Sequence, residues 1–133
     1  MPVKVTLDLA AIDRLARGAA ERGVQFTLAR GESILRGDIL SRPGSGRLYG
    51  KHRASAPGEP PAVDKGELRN KTQADPQLRY TESHVIGRIV ANVEKASALE
   101  RGTERMAARP FLSVLRTQYT AELAQAFKTG AKS

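Results

Sequence analysis

The chain has no cysteine. That excludes disulfides, thiolate metal sites and cysteine nucleophiles, and it is compatible with assembly in a cytosol. Its only histidines, His52 and His84, stand in no metal-ligand spacing with a second strong ligand. Carboxylates are scattered, so no acidic cluster suggests a magnesium site for phosphoryl transfer. Gly44-Ser45-Gly46 lacks the Gly-Lys-Ser/Thr ending of a phosphate-binding loop and follows a helical pattern, not a strand. Ser41, Ser45 and Ser55 have no base beside them in sequence. There is no zinc finger, no stacking pair of aromatics on a strand and no helix-turn-helix pattern. No apolar run approaches the length of a membrane helix. The opening MPVKVTLDLAAIDRL has no cleavable apolar core followed by small residues, so no signal peptide is expected. These absences point away from an enzyme, and no metal or cofactor is expected.

What is present is a basic chain of 133 residues with a formal net charge of +8 and a pI near 10.3. The length suits one domain that buries about two thirds of its unfolded surface. The charge is uneven. Between residues 42 and 53 stand Arg42, Arg47, Lys51, His52 and Arg53 without a single acid. Such a segment favours a polyanion or an acidic neighbour, and on nucleic acid it would meet phosphates without reading sequence.

Asp8 is placed to cap a helix, after which Ile12, Ala16, Ala19, Val24, Leu28, Leu35 and Ile39 recur at helical spacing to about Leu40. The stripe reads as core in preference to a partner groove. Arg14, Arg17, Glu21, Arg22, Arg30, Glu32 and Arg36 fall opposite. Gly18, Gly23, Gly31 and Gly37 weaken this helix by roughly 1 kcal/mol each against alanine, so it is expected to need packing and to bend or split. Pro43 ends it. Residues 56–62, Ala-Pro-Gly-Glu-Pro-Pro-Ala, are expected to be extended and partly polyproline-like. Beyond them, residues 68–73 and 78–81 are strand candidates around an Ala74-Asp75-Pro76 turn. After Glu82-Ser83-His84, residues 85–93 alternate, with Val85, Ile89, Ala91 and Val93 on one face and Arg88 and Asn92 on the other. A short helix is expected over 94–101, ended by Gly102. Pro110 opens a last helix whose Phe111, Leu115, Tyr119, Leu123 and Phe127 follow at steps of four, with fraying from Lys128. The expected fold class is α+β: a long N-terminal helix, an extended basic Pro/Gly-rich loop, a small antiparallel β-meander, a short helix and a C-terminal amphipathic helix.

Three stretches then suggest a family. Ser45-Gly46-Arg47-Leu48-Tyr49 leads into His52-Arg53-Ala54-Ser55-Ala56-Pro57-Gly58-Glu59-Pro60-Pro61-Ala62-Val63-Asp64. Gly66-Glu67-Leu68-Arg69-Asn70 follows. Leu99-Glu100-Arg101-Gly102-Thr103 then precedes Met106-Ala107-Ala108-Arg109-Pro110-Phe111-Leu112. In this order they resemble the small morphogenesis proteins of the tailed-phage head–tail neck, the minor tail or tail completion components, with relatives in prophages and gene transfer agents. The likeness covers roughly residues 45–115, and the last block is its most specific part. The chain departs at Lys65-Gly66-Glu67, where Thr-Gly often precedes Leu-Arg, and at Lys95, where an aromatic commonly stands. Each departure places a lysine, Lys65 or Lys95, where a neutral group is usual.

The resemblance implies a structural virion protein, assembled in the bacterial host cytoplasm. It would form a closed homo-oligomeric ring, six-fold or alternatively twelve-fold. Its partners would be head-closure or adaptor proteins on one side and tail terminator or tail-tube proteins on the other, with DNA passing through the lumen. No membrane partner is implied. In that setting the chain is a single domain over 1–133 with an assembly loop at about 42–66. Ala56, Pro57, Gly58, Glu59, Pro60, Pro61 and Val63 become subunit-interface candidates, and Glu100 and Arg101 candidates for ion pairs within or between subunits. Gly102 would end the short helix and Thr103 turn the chain toward Arg109-Pro110-Phe111, with Phe111 and Leu112 anchoring the last helix. The competing reading is a basic, sequence-independent nucleic-acid-binding protein that uses residues 42–53 as a phosphate clamp.

Overall fold

The structure is a computed structural model that describes residues 3–46, 48–49, 52–62, 66–104 and 107–133, with the side chains of Tyr49 and His52 left undescribed. It is α+β, as the sequence pattern requires. Helix α1 spans Leu9–Gly37, 29 residues, and the Asp8 carboxylate accepts the Ala11 N–H at 3.0 Å. Helical hydrogen bonding runs unbroken through Gly18, Gly23 and Gly31 and stops at Gly37, and two of these glycines, Gly23 and Gly31, are seats for neighbours. A Cβ on Gly23 would lie 2.6 Å from the Phe127 ring, and one on Gly31 would lie 2.8 Å from Ile89 Cδ1. Burial at those seats offsets the low helix propensity of glycine. A 3₁₀ turn, Ile39–Ser41, follows.

Besides a small β1 (Leu48–Tyr49) and β2 (His52–Arg53) pair, residues 72–91 form one long irregular hairpin. Strand β3 (Thr72–Ala74) pairs antiparallel with β6 (Ile89–Ala91), and between them β4 (Arg79–Tyr80) pairs with β5 (Val85–Ile86). The register slips by two residues between the pairs: Ala74 faces Ile89, whereas Arg79 faces Ile86. The slack is taken up at Asp75-Pro76. Asp75 donates its N–H to the Arg88 carbonyl at 2.8 Å, and its carboxylate accepts from Gln77 N–H at 3.0 Å and from Arg88 at 3.1 Å. Burial alternates along residues 85–93 as expected, odd positions half-buried and even ones exposed. Arg17 of α1 donates to the Thr81 and Glu82 carbonyls at the hairpin tip.

The expected strand over 68–73 is a correction. Residues Glu67–Lys71 form a short helix, α2, and only Thr72 onward is strand. The cause is tertiary. Arg36 donates to the carbonyls of Asn70 (2.7 Å) and Thr72 (2.9 Å), while Glu32 accepts the Ala74 N–H at 2.8 Å. Two charged residues assigned to the solvent face of α1 therefore cover the free edge of β3, which would otherwise present unpaired backbone groups.

Helix α3 is Ala96–Arg101 and ends at Gly102. The C-terminal helix is two: α4 (Leu112–Gln118) and α5 (Thr120–Lys132), kinked at Tyr119. Pro110 lies before the helix instead of opening it, and helical geometry continues through Lys128 to Lys132. Ile34, Leu35, Ile39, Leu40, Ala96, Phe111, Val114 and Leu115 make the buried core, with Leu68, Ile89, Ala91, Val93, Leu99 and Leu123 packed on it. The core sits at the C-terminal end of α1. Ile12 and Ala16, read as part of the core stripe, are exposed.

Candidate assembly surface

The basic and Pro/Gly-rich segment has local order of its own. Strand β1 (Leu48–Tyr49) pairs with β2 (His52–Arg53), and the Gly46 N–H donates to the Ala54 carbonyl at 2.8 Å. Residues 56–59, expected to be extended, close instead in a tight turn. The Glu59 N–H donates to the Ala56 carbonyl at 3.1 Å, with Pro57 second and Gly58 third at φ +84°. This is the type II pattern: proline presets the second position, and the third needs a positive φ that glycine adopts without strain. Glu59 locks the turn from outside, its carboxylate accepting from the N–H groups of Ala56 and Ser45 and from the Ser45 hydroxyl. The bond from Ala56, then those from Ser45, hold its carboxyl below the usual range. Ser55 and Pro61 are buried, while Pro60 is half-buried and Pro57 exposed.

This turn meets the Leu99–Phe111 block, which lies some fifty residues further along the chain. Gly58 donates its N–H to the Ala108 carbonyl at 2.9 Å, and the Arg109 guanidinium donates to the Ser55 carbonyl at 3.3 Å. The Arg109 N–H in turn donates to the Leu99 carbonyl at 2.6 Å. Arg109 is thus the clasp between two stretches that sequence spacing could not bring together.

Glu100 has a definite intramolecular task. Its carboxylate accepts the N–H groups of Phe111 (2.7 Å), Leu112 (3.0 Å) and Ser113 (2.8 Å). Among the ion-pair candidates it is corrected to a cap for α4, supplied from another helix because Phe111 at the cap position has no acceptor of its own. Burial raises the Glu100 carboxyl, but the bonds from Phe111, Ser113 and Leu112 outweigh it and leave the group below the ordinary carboxylate range. Phe111 is wholly buried, as an anchor for the last helices must be. Arg101 and Thr103 are exposed, and Gly102 takes φ +76° where α3 stops.

The basic candidates separate. Arg42 is held by the protein itself: it pairs with Asp38 at 3.4 Å and donates to the Tyr119 hydroxyl at 2.9 Å, while Tyr119 donates to Asp38. The Tyr119 bond first, then Arg42, keep the Asp38 carboxyl below its usual range. Arg42 is therefore turned toward the kink between α4 and α5 and away from the basic loop. Arg53 is exposed, with its guanidinium on the Gly46 carbonyl at 2.9 Å. Arg47, Lys51 and Val63 lie outside the described residues, as does the His52 side chain. His84 is exposed at the hairpin tip, its Nδ1 2.8 Å from the Ser83 hydroxyl.

Among the described residues no group of three or more His, Asp or Glu side chains could hold a metal, and no helix is long and apolar enough to cross a membrane. The described residues here bring together a tight turn, the exposed Arg53 guanidinium and the backbone around Ala108 and Arg109 that is bonded to the turn. No family model, curated protein or solved structure matches this chain.

Proposed function

We propose that the chain is a structural component of the tailed-phage head–tail neck, a tail completion protein that closes into a ring around the DNA channel. The observation that carries the reading is the joining of its two most specific sequence blocks. The Ala56–Glu59 turn and the Leu99–Phe111 block are clasped by Arg109 and by the Gly58 to Ala108 hydrogen bond. Blocks that a ring protein would present together to a neighbour are joined here by hydrogen bonds. Arg53, exposed on the β1–β2 hairpin beside them, adds positive charge of the kind a channel for a polyanion needs. Such a ring needs heterologous contacts between copies whose rotation closes.

Purified protein, alone or mixed with portal, head-closure and tail-tube proteins, is expected to form rings by native mass spectrometry and electron microscopy. A chain that stays monomeric and never enters such assemblies overturns the reading. Tight DNA binding by that monomer, lost steeply between 50 and 200 mM salt, would then favour the phosphate clamp, since each neutralised phosphate releases a counterion.

A further inference from the structure

The two edges of the long hairpin are finished differently. Its even-numbered residues beyond Ile86 turn their backbone groups toward the partner strand: the Asn92 N–H donates to the Lys71 carbonyl at 2.9 Å, and the Arg88 carbonyl accepts from Asp75. Ile89 and Ala91 of β6, opposite Ala74 and Thr72, therefore point their N–H and C=O groups away from β3. The outward edge of β3 is closed by Glu32 on the Ala74 N–H and by Arg36 on the Thr72 carbonyl. Among the described residues nothing is bonded to the outward groups of Ile89 and Ala91, although both residues are half-buried. Such an edge is a template for one more strand.

The chain also holds a strand pattern without a sheet. Val3, Val5 and Leu7 alternate with Lys4, Thr6 and Asp8, the two-residue period of a strand with one apolar face. Residues 3–8 belong to no helix or sheet, and Val3, Val5 and Leu7 are 89%, 78% and 67% exposed. At Asp8 the backbone is extended, with φ −93° and ψ 96°.

We infer that residues 3–7 of one copy add antiparallel to the outward edge of β6 in a second copy. Reach requires the second copy. Ile89 packs at Gly31, about 33 Å along α1 from Leu9. Val3 lies six residues before Leu9 and stands at most about 22 Å from it. Register follows from the neighbours. Setting Val3 against Ala91, Val5 against Ile89 and Leu7 against Gly87 extends the inward apolar row of the hairpin and leaves Lys4 and Thr6 beside Val90 and Arg88 on the outer face. Shifting the arm two residues one way brings Val3 to Val93, whose carbonyl already accepts the Ala96 N–H at 3.1 Å. Shifting it the other way sets Lys4 against Arg88, and like charges directly opposite repel. The antiparallel sense is the more stable per residue. The contact is independent of the neck reading, since it needs only copies of this chain, each lending an arm and offering an edge.

The lack of native cysteine allows single-cysteine chains. One carries Lys4→Cys and another Val90→Cys, both at exposed positions. Gln73→Cys, exposed opposite Val90 and one strand further from the arm, is the control. Mild oxidation of the mixed Lys4→Cys and Val90→Cys chains should yield heterodimer at least about ten-fold above the Lys4→Cys and Gln73→Cys mixture. A disulfide needs Cα atoms within about 7 Å, and two strand spacings put Gln73 about 10 Å from the arm. Adding Val5→Pro to the Lys4→Cys chain deletes the N–H aimed at Ile89 and should cut the yield at least about five-fold. Adding Thr6→Pro instead, where the N–H faces solvent, should keep at least about half of it. An unchanged circular dichroism spectrum checks that each variant is folded. No excess over the control, or equal yields from the two proline variants, overturns the inference. Cross-linked chains that never enter a neck assembly leave this inference standing and remove the neck reading, and rings without the cross-link do the reverse.

Discussion

From Gly23 to Gly37, α1 is walled by α5, by the long hairpin and by the buried cluster around Leu35 and Phe111. From Leu9 to Ala16 the same helix is exposed at every position but Ala11, with apolar residues at similar spacing. Periodicity alone treats the two halves as one stripe. The fold does not, because α5 ends beside Arg22, where the Arg22 guanidinium reaches the Ala131 carbonyl at 3.5 Å, and the hairpin ends beside Arg17. An amphipathic pattern therefore marks a face that something covers, and only the lengths of the neighbouring elements say whether the cover lies in the same chain.

The contrast can be broken most forcefully at leucine. Leu35→Ala should lower monomer stability by about 3 kcal/mol, the transfer and cavity cost of a fully buried leucine. Leu15→Ala should change it by less than about 0.5 kcal/mol. Urea unfolding at a concentration where the chain is monomeric checks both, and equal losses would dissolve the distinction between the halves.

Glycine sharpens it next. Gly31→Leu pushes bulk into Ile89 and Leu115 and is expected to cost about 1–3 kcal/mol. Gly18→Ala, where an added Cβ meets only Arg22 Nη1 at 3.4 Å, should stabilise by about 0.5–1 kcal/mol through helix propensity. Thermal melts of the two variants should shift in opposite directions.

The Glu100 cap gives a pH signature confined to the packed region. Its carboxyl is lower in the folded chain than the ordinary value of about 4.3. Its contribution is therefore fully present above that value and is lost as pH falls through the lower, folded one. Glu100→Gln should cost about 1–2 kcal/mol at pH 7, and the difference from the native chain should shrink below about pH 4. A gap that stays constant from pH 7 to pH 3 would show that the carboxylate is not the group bonded to the α4 amides. The smallest effect belongs to the turn. Gly58→Ala forces a side chain into a left-handed position and should cost about 1 kcal/mol, seen as a modest drop in melting temperature together with faster proteolysis near residue 58.

Much of the fold was legible because its signals are local. Asp8 precedes a long run of helical spacing and caps it; Gly102 ends α3; alternation over 85–93 predicts which residues turn inward. Three features were not legible, for one shared reason. The α2 helix at 67–71, the kink at Tyr119 and the capping of α4 all depend on partners far along the chain: Arg36 on Thr72, Asp38 and Arg42 on Tyr119, Glu100 on Phe111. The candidate surface divides the same way. Pro57 and Gly58 announce a turn to a reader who weighs them as a pair, whereas nothing in the spacing places Ser55 under Arg109.

What the sequence determined by itself is set by backbone and side-chain preference within a few residues: the α+β class, the caps, the glycine that stops α3 and the inward face of the hairpin. The tertiary structure alone decided where charged residues would go. Glu32, Arg36, Arg42 and Glu100 all read as solvated or outward-facing, yet each is bonded inside the molecule. Buried or half-buried backbone groups at a strand edge, at a carbonyl cluster and at a helix start need partners once water is excluded, and that need arises only when distant segments meet.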